Sequence, residues 1–565
     1  MPGTRVLKTT PISARLAWWI GLTLSLAVLG TLYARVPLSP DQFAIRYVAW
    51  QVNSGQPLYS GVVDMNWPGM VALMRPIASL PFDPWFPWRM LDFAVMLGGV
   101  AATAGWLRQV SGVLAGRVWW LGYPLLYTSP ALYWFAGQPD AVMTHVTLVA
   151  IALHIRAWRR FRVDAMHGLV CLALSVGVGV IMGIATLMKP LAICFALALT
   201  IHAALSARSL ARPWRAWGFY VISAALGGLA ALSLGFSVVI LAGTPTTDAW
   251  WAAWTYNRTA QFVGGVGSAQ LTLIALDWLS SYWHVGAIFI AAALILNSSD
   301  RQSDTDSNPS YPRLLLSLLL IAGFASYGLQ SKGFAYHLAP SWTILTMMFC
   351  IGIANACCIA RRFSSPLVLS LSIGFTAGFL CLKAGQLIPG AQAWAFEGQR
   401  AAYLERFEAG DRTSYAKLQQ IDAELSVQFA SHTYERPLLV WGETISLNLK
   451  QGRVQPTPYY YFLSLTNLRP DMPMHDAWLE RFSSAMNTEP RAEIGVISQE
   501  ALDIAERSGN AAYGVVTAWI NEAETVASFG NLRIMRWRGA PSRPETDLAP
   551  ARGPADADAA DADEP

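Results

Sequence analysis

The chain has 565 residues, 54% of them hydrophobic and only 13% charged, with a net charge of +4 and a mean hydropathy of +0.36. Globular proteins carry about 25% charged residues, so this composition excludes an ordinary cytosolic enzyme and a disordered chain. No run of Lys and Arg is interleaved with aromatics, so no nucleic acid is expected as a partner. The six cysteines (Cys171, Cys194, Cys350, Cys357, Cys358, Cys381) sit in apolar stretches without CxxC or Cys/His spacing, which leaves a disulfide scaffold and a zinc site unsupported. The 24 Trp and 19 Tyr suit a chain that crosses many membrane–water interfaces.

Apolar runs of about 17–25 residues read as membrane spans. They fall near 16–35, 90–107, 118–135, 141–156, 168–187, 190–206, 217–242, 271–296, 314–330, 338–359 and 365–383, eleven in all. The first is long and is followed by Arg35 and Pro37 in place of a small-residue cleavage site, so it reads as an uncleaved span. Basic residues concentrate in alternate connections, among them Arg156, Arg159, Arg160 and Arg162, then Arg208, Arg212 and Arg215. The positive-inside rule places these in the cytoplasm, with the N-terminus inside and the C-terminal region outside. Three outside segments exceed mere connectors: 37–89, 244–270 and everything after 384. The expected fold class is therefore mainly α, a polytopic helix bundle over 1–383.

Beyond 384 the character changes. Apolar runs at 437–442, 491–498 and 531–538 alternate with helix-like stretches His475–Met486 and Gln499–Arg507, the pattern of an α/β domain over 384–538. The Ala/Pro/Asp-rich stretch 539–565 cannot bury enough apolar surface to fold and reads as a disordered acidic tail.

Candidate chemistry clusters on one face of the membrane. Asp41, in PLSPDQF, lies just past the first span and either caps the following helix or works as an acid or base. The turn-rich GQPLYSGVVDMNWPGM holds Asp64, Asn66 and Trp67. Asp140, in AGQPDAV, lies between the third and fourth spans, where capping is again the alternative. Lys189, in TLMKPLA, either snorkels to the surface or binds an anion. Lys332, Tyr336 and His337, in QSKGFAYHLAP, supply phosphate-compatible donors. Asp92 and Asp277 read as helix-end residues. The other histidines (His145, His154, His167, His202, His284, His432, His475) show no ligand spacing, and the sequon Asn257-Arg258-Thr259 reads as chance.

These motifs, in this order over roughly 16–383, resemble the GT-C superfamily of polytopic membrane glycosyltransferases. The nearer likeness is to the protein O-mannosyltransferase and lipid A aminoarabinose transferase group. The resemblance implies a catalytic Asp after the first span, at Asp41, and a second acid at Asp140. It implies a basic-aromatic link at Lys332, Tyr336 and His337, and an α/β domain outside the membrane. The implied activity is transfer of a hexosyl or pentosyl group from a polyprenyl-phosphate donor to a hydroxyl on a lipid, glycan or protein acceptor. It would proceed with inversion, with Asp41 as base, at the periplasmic face of a bacterial inner membrane. Many relatives carry two adjacent acids after the first span, whereas Gln42 and Phe43 follow Asp41 here. A hard divalent cation wants several oxygen ligands, so metal-independent transfer is expected, with no cofactor. The competing class is a transporter or a lipid-linked-sugar flippase, against which stand the lack of a repeat and the one-sided charges.

Overall fold

The computed structural model describes residues 12–80, 85–129, 133–163, 168–210, 212–259, 270–274, 310–330, 334–362, 385–430, 436–488, 491–509 and 511–538, with 276, 332, 374 and 378. The expected spans at 271–296 and 365–383 lie almost wholly outside these residues, as do Asp277, His167, His284, His432, Cys381 and the tail.

Among the described residues, seven helices are long and apolar enough to cross a membrane, and an eighth apolar helix, Ala192–Ala207, is shorter. In chain order the bundle comprises α1 (Ile12–Tyr33), α4 (Phe86–Tyr127), α5 (Pro139–Val163), α6 (Leu169–Met188), α7 (Ala192–Ala207) and α8 (Pro213–Leu241), then α10 (Ser310–Gln330) and α11 (Ala339–Arg362). Between α1 and α4 lie two helices of the connecting segment, α2 (Pro40–Asn53) and α3 (Pro68–Ala78); α9 (Thr246–Trp250) follows α8.

The long α4 holds the two spans expected at 90–107 and 118–135. Its backbone breaks at Ser111 and Gly112, and Gly112 takes φ 83°, which a residue without Cβ reaches freely. The second leg returns along the first, since Trp119 Nε1 donates to Val100 O at 3.2 Å and to Thr103 Oγ1 at 3.1 Å. That leg ends at Tyr127, not 135, just before the Ser129-Pro130 step that disfavours helix. Pro190 similarly separates α6 from α7, leaving Lys189 as an extended cap.

Small residues bring α6 and α8 together: a Cβ on Gly179 would lie 1.8 Å from Ala224 O, and one on Gly227 2.4 Å from Val176 O. Buried hydrogen bonds tie other helices. Tyr123 OH meets His145 Nε2 at 2.8 Å and Thr343 Oγ1 at 2.9 Å, joining α4, α5 and α11. His154 meets Tyr220 OH at 2.6 Å and His202 at 2.8 Å, joining α5, α7 and α8. These histidines have partners in the core, in keeping with their lack of ligand spacing.

The C-terminal region forms a four-stranded sheet in the order β1-β2-β4-β3, with β1 (Leu438–Trp441) parallel to β2 (Ile494–Ser498), and β4 (Leu532–Trp537) antiparallel to both β2 and β3. Three strands match the expected runs. The fourth, β3 (Ala523–Phe529), is a half-exposed edge strand whose AETVASF lacks a continuous apolar run, so the sequence reading passed over it. Helix α12 (Tyr415–Phe429) precedes the sheet, α13 (His475–Asn487) meets β1 through Phe482 against Trp441, and α14 (Gln499–Ser508) packs on β2.

This domain docks on the end of the bundle that carries α2 and α3. Tyr415 OH donates to Leu38 O, the backbone N–H of Gln455 donates to Tyr47 OH at 2.8 Å, and Val63 N–H donates to Pro458 O at 2.9 Å.

Candidate functional site

A cavity of about 460 Å³ opens where α2, α5, α6, the turn before α11 and the C-terminal domain meet. Asp41, Asn66, Lys189, Lys332, Tyr336 and His337 all line it. The sequence spreads these over almost 300 positions, and the fold collects them.

Asp41 does not cap its helix. Ser39 occupies the cap, Pro40 fills the first helical position, and Gln42 reaches back so that Ser39 N–H donates to its Oε1 at 3.1 Å. Gln42 Nε2 also donates to Ala136 O at 2.5 Å. Gln42 is thus fully buried as a staple, and the carboxylate of Asp41 turns towards the cavity. There it accepts hydrogen bonds from Tyr336 and, at 3.5 Å, from Gln138 Nε2. Burial raises its pKa, while Tyr336, the charges of Lys189 and Lys332, and Gln138 oppose the rise.

Lys189 caps α6 and forms an ion pair with Asp140 Oδ2 at 2.5 Å, so it does not snorkel away from the bundle. Asp140, in the first turn of α5, is fully buried behind Lys189 and also accepts from Gln330 Nε2 at 3.0 Å. It does not line the cavity. Lys332 Nζ lies 3.5 Å from Asn257 Oδ1. Burial and the charge of Lys189 push its ammonium down to about 8, against the upward pull of Asp140 and Asp41. The basic-aromatic link folds into a 3-10 turn, Ala335–Leu338, with Tyr336 stacked on Phe334 at 5.4 Å and edge-on to His337 at 4.5 Å.

Of the turn-rich loop, only Asn66 and Met65 line the cavity. Asp64 is buried one layer out, accepting from the Asn66 side chain at 3.0 Å and from Tyr460 OH at 3.1 Å. Burial raises the pKa of Asp64, opposed by these hydrogen bonds. Trp67 donates to Ala253 O at 2.9 Å and packs edge-on against Phe236. Both hold the loop. Asp92 lies apart, buried in α4 among Tyr33 and Tyr127. Among the described residues, no group of three or more His, Cys, Asp or Glu side chains is placed to hold a metal ion.

Sequence reasoning missed Gln138, Asn257, Glu443, Tyr460 and Tyr461, which also line the cavity. Glu443 had a readable signal, a carboxylate directly past the C-terminal end of a predicted strand, where α/β domains often place functional groups.

No protein-family model matches the chain, and no curated protein sequence matches it. Among solved structures, it is similar over 92% of its length to ArnT from Cupriavidus metallidurans bound to undecaprenyl phosphate, covering 98% of that chain, at 12% identity and a TM-score of 0.51. Archaeoglobus fulgidus oligosaccharyltransferase AglB, in complex with an inhibitory peptide and a dolichol-phosphate, is matched over 85% of this chain and 69% of that one, at 12% identity and a TM-score of 0.42. The ArnT likeness establishes the fold. It is a polytopic helix bundle with an α/β domain after it, as the sequence led us to expect.

Proposed function

We propose that the chain is an inverting membrane glycosyltransferase that moves a sugar from a polyprenyl-phosphate donor to a hydroxyl acceptor. One observation carries this reading: a half-buried carboxylate, Asp41, and two lysines far apart in the chain line one cavity. The bundle itself gives a hydrocarbon tail a place to remain in lipid while its head group enters that cavity. The fold is also that of ArnT, whose structure holds undecaprenyl phosphate.

In the proposed step, Asp41 accepts the proton of the acceptor hydroxyl as its oxygen attacks the anomeric carbon. The bond from that carbon to the phosphate oxygen breaks, and its electron pair leaves with the lipid phosphate. Lys332 and Lys189, with Tyr336 and His337, stabilise the charge that gathers there. Asp140 holds Lys189 in place through its ion pair. Burial suits Asp41 to the role, because a base whose pKa has risen towards the working pH takes a proton more readily. In this scheme the lysines supply the charge stabilisation that relatives with paired acids could give to a divalent cation. The expected setting is a bacterial inner membrane, with the cavity and the C-terminal domain on the periplasmic side.

Mass spectrometry of envelope lipids, glycans and proteins from cells with and without the protein tests the reading. A saccharide added to one acceptor, and missing equally when Asp41→Asn replaces the wild type, supports it. No covalent difference, together with solute or lipid movement across sealed vesicles, would overturn it in favour of transport.

A further inference from the structure

We propose that the wall contributed by the C-terminal domain is a carbohydrate subsite, in which Glu443 and Tyr461 hold the hydroxyls of a sugar ring beside Asp41. The inference rests on the transferase reading for the position of the lipid phosphate, and adds where the sugar lies.

Glu443 follows β1 by two residues and is fixed from behind. Asp411 Oδ2 accepts the Glu443 backbone N–H at 2.7 Å, and a Cβ on Gly442 would lie 2.4 Å from that same oxygen. The turn bearing Asp411 runs through left-handed backbone at Gly410 (φ 103°), Asp411 (φ 51°) and Arg412 (φ 54°). A fold that holds two non-glycine residues there places the strand end tightly.

The side chain of Glu443 reaches the cavity, where Tyr461 OH donates to its Oε1 at 3.3 Å. The charges that act on it most strongly are acids, Asp411, Asp41 and Glu408. Burial, then those acids, push its carboxyl up to about 7. The strongest charged neighbours of Lys332 are instead Lys189, Asp140 and Asp41. Asp41 is thus the group felt by both sides, a cationic one suited to phosphate and an acidic one suited to groups that donate hydrogen bonds. Trp134, Tyr460 and Tyr461 line the cavity with Glu443. Flat aromatic faces beside a carboxylate match a pyranose or furanose ring, which presents C–H groups on its faces and hydroxyls at its rim.

The ring could belong to the donor or to a glycan acceptor, and two arms of one binding experiment separate these. The full-length protein in detergent is titrated with bare undecaprenyl phosphate and with a series of undecaprenyl-phosphate hexoses and pentoses. It is then titrated with oligosaccharides released from the envelope. In the donor case, one sugar-bearing lipid binds more tightly than the bare lipid. Glu443→Gln and Tyr461→Phe each cut that ratio about ten-fold, as loss of a hydrogen bond to a charged group implies. The ratio should also rise with pH across the window around 7 in wild type and stay flat in Glu443→Gln, a response that a merely structural role would not give. In the acceptor case the same losses appear with the free oligosaccharides. If Glu443→Gln melts like wild type and leaves binding unchanged in both arms, the subsite is refuted. Failure of the bare lipid to bind would instead strike the transferase reading itself.

Discussion

Two carboxylates near the same end of the bundle, Asp92 buried and Asp41 half-buried, have opposite environments. Asp92 accepts hydrogen bonds from Tyr33 OH at 2.5 Å and from Tyr127 OH at 2.9 and 3.0 Å. Arg89, one turn away, donates to Tyr33 OH at 3.0 Å, to Ala136 O at 2.7 Å, to Val36 O at 3.1 Å and to Pro37 O. Tyr127 OH also accepts the Gly137 N–H at 2.8 Å. That set is closed, as a buried charge requires, and it shapes the 133–138 loop that presents Gln138 to Asp41. Asp41 is half-buried: its carboxylate faces open cavity, where among the described residues it takes a 3.5 Å contact from Gln138 and the hydroxyl of Tyr336. What sets Asp41 apart is hydrogen-bonding capacity left unused and aimed at the cavity.

The widest test of this contrast replaces each acid. Asp41→Asn removes the proposed base and relieves a desolvated charge, so transfer should fall by about 10²- to 10⁴-fold while the thermal midpoint holds or rises. Asp92→Ala should do the reverse. It leaves two tyrosine hydroxyls without their acceptor and the buried charge of Arg89 without its countercharge, a loss of about 3–5 kcal/mol by the measure of broken buried pairs. The molecules that still fold should turn over near the wild-type rate. Thermal unfolding in detergent beside a transfer assay reads both, and a stable, inactive Asp92→Ala protein would erase the distinction.

A smaller effect is expected at Gln42, which stands where the family that the motifs resemble often carries a second acid. Its amide donates to Ala136 O while its carbonyl accepts from Ser39 N–H. Gln42→Glu keeps the acceptor but sets a carboxylate oxygen against a carbonyl oxygen. The expected cost is about 1–3 kcal/mol of stability, the penalty of an unmet buried polar group. No gain in activity and no new response to divalent cations should follow. Enhanced turnover with added metal would show that the side chain reaches the cavity after all.

Much of this arrangement was legible in the sequence, for identifiable reasons. Span positions follow from apolar runs whose length the bilayer dictates, and the α6–α7 break follows from Pro190. Asp41, Lys189 and Lys332 stood out because charge beside a long apolar run is costly unless it has a partner or a use. The capping alternative at Asp41 sets the helix start two residues late, because an acid ahead of an amphipathic run imitates a cap when the serine and proline before it are overlooked. Asp64 and Trp67 looked like Asn66 in the linear chain. Only the fold of the loop turns one side chain into the cavity and binds the other two to Tyr460 and Ala253. Glu443 lies more than 400 residues from Asp41, and no periodicity can report that contact.

The mildest test concerns the cationic side. Burial and the neighbouring charge of Lys189 bring Lys332 down to about 8 in the unliganded protein. An anionic phosphate beside it favours the ammonium, so the bound form holds its proton to higher pH than the free form. Affinity for undecaprenyl phosphate is therefore fullest below about 8 and falls as pH rises through that value, by up to about ten-fold between pH 7 and pH 9 if one proton is linked to binding. Lys332→Arg replaces an ammonium that can lose its proton with a guanidinium that stays charged throughout. Its affinity should be lower than wild type at pH 7, because the larger head fits the Asn257 contact poorly, but level with pH. Parallel slopes for the two proteins would assign the titration to another group and take Lys332 away from the phosphate. A slope confined to wild type would mark the cationic side as tuned by its surroundings, as the burial of Asp41 marks the acidic one.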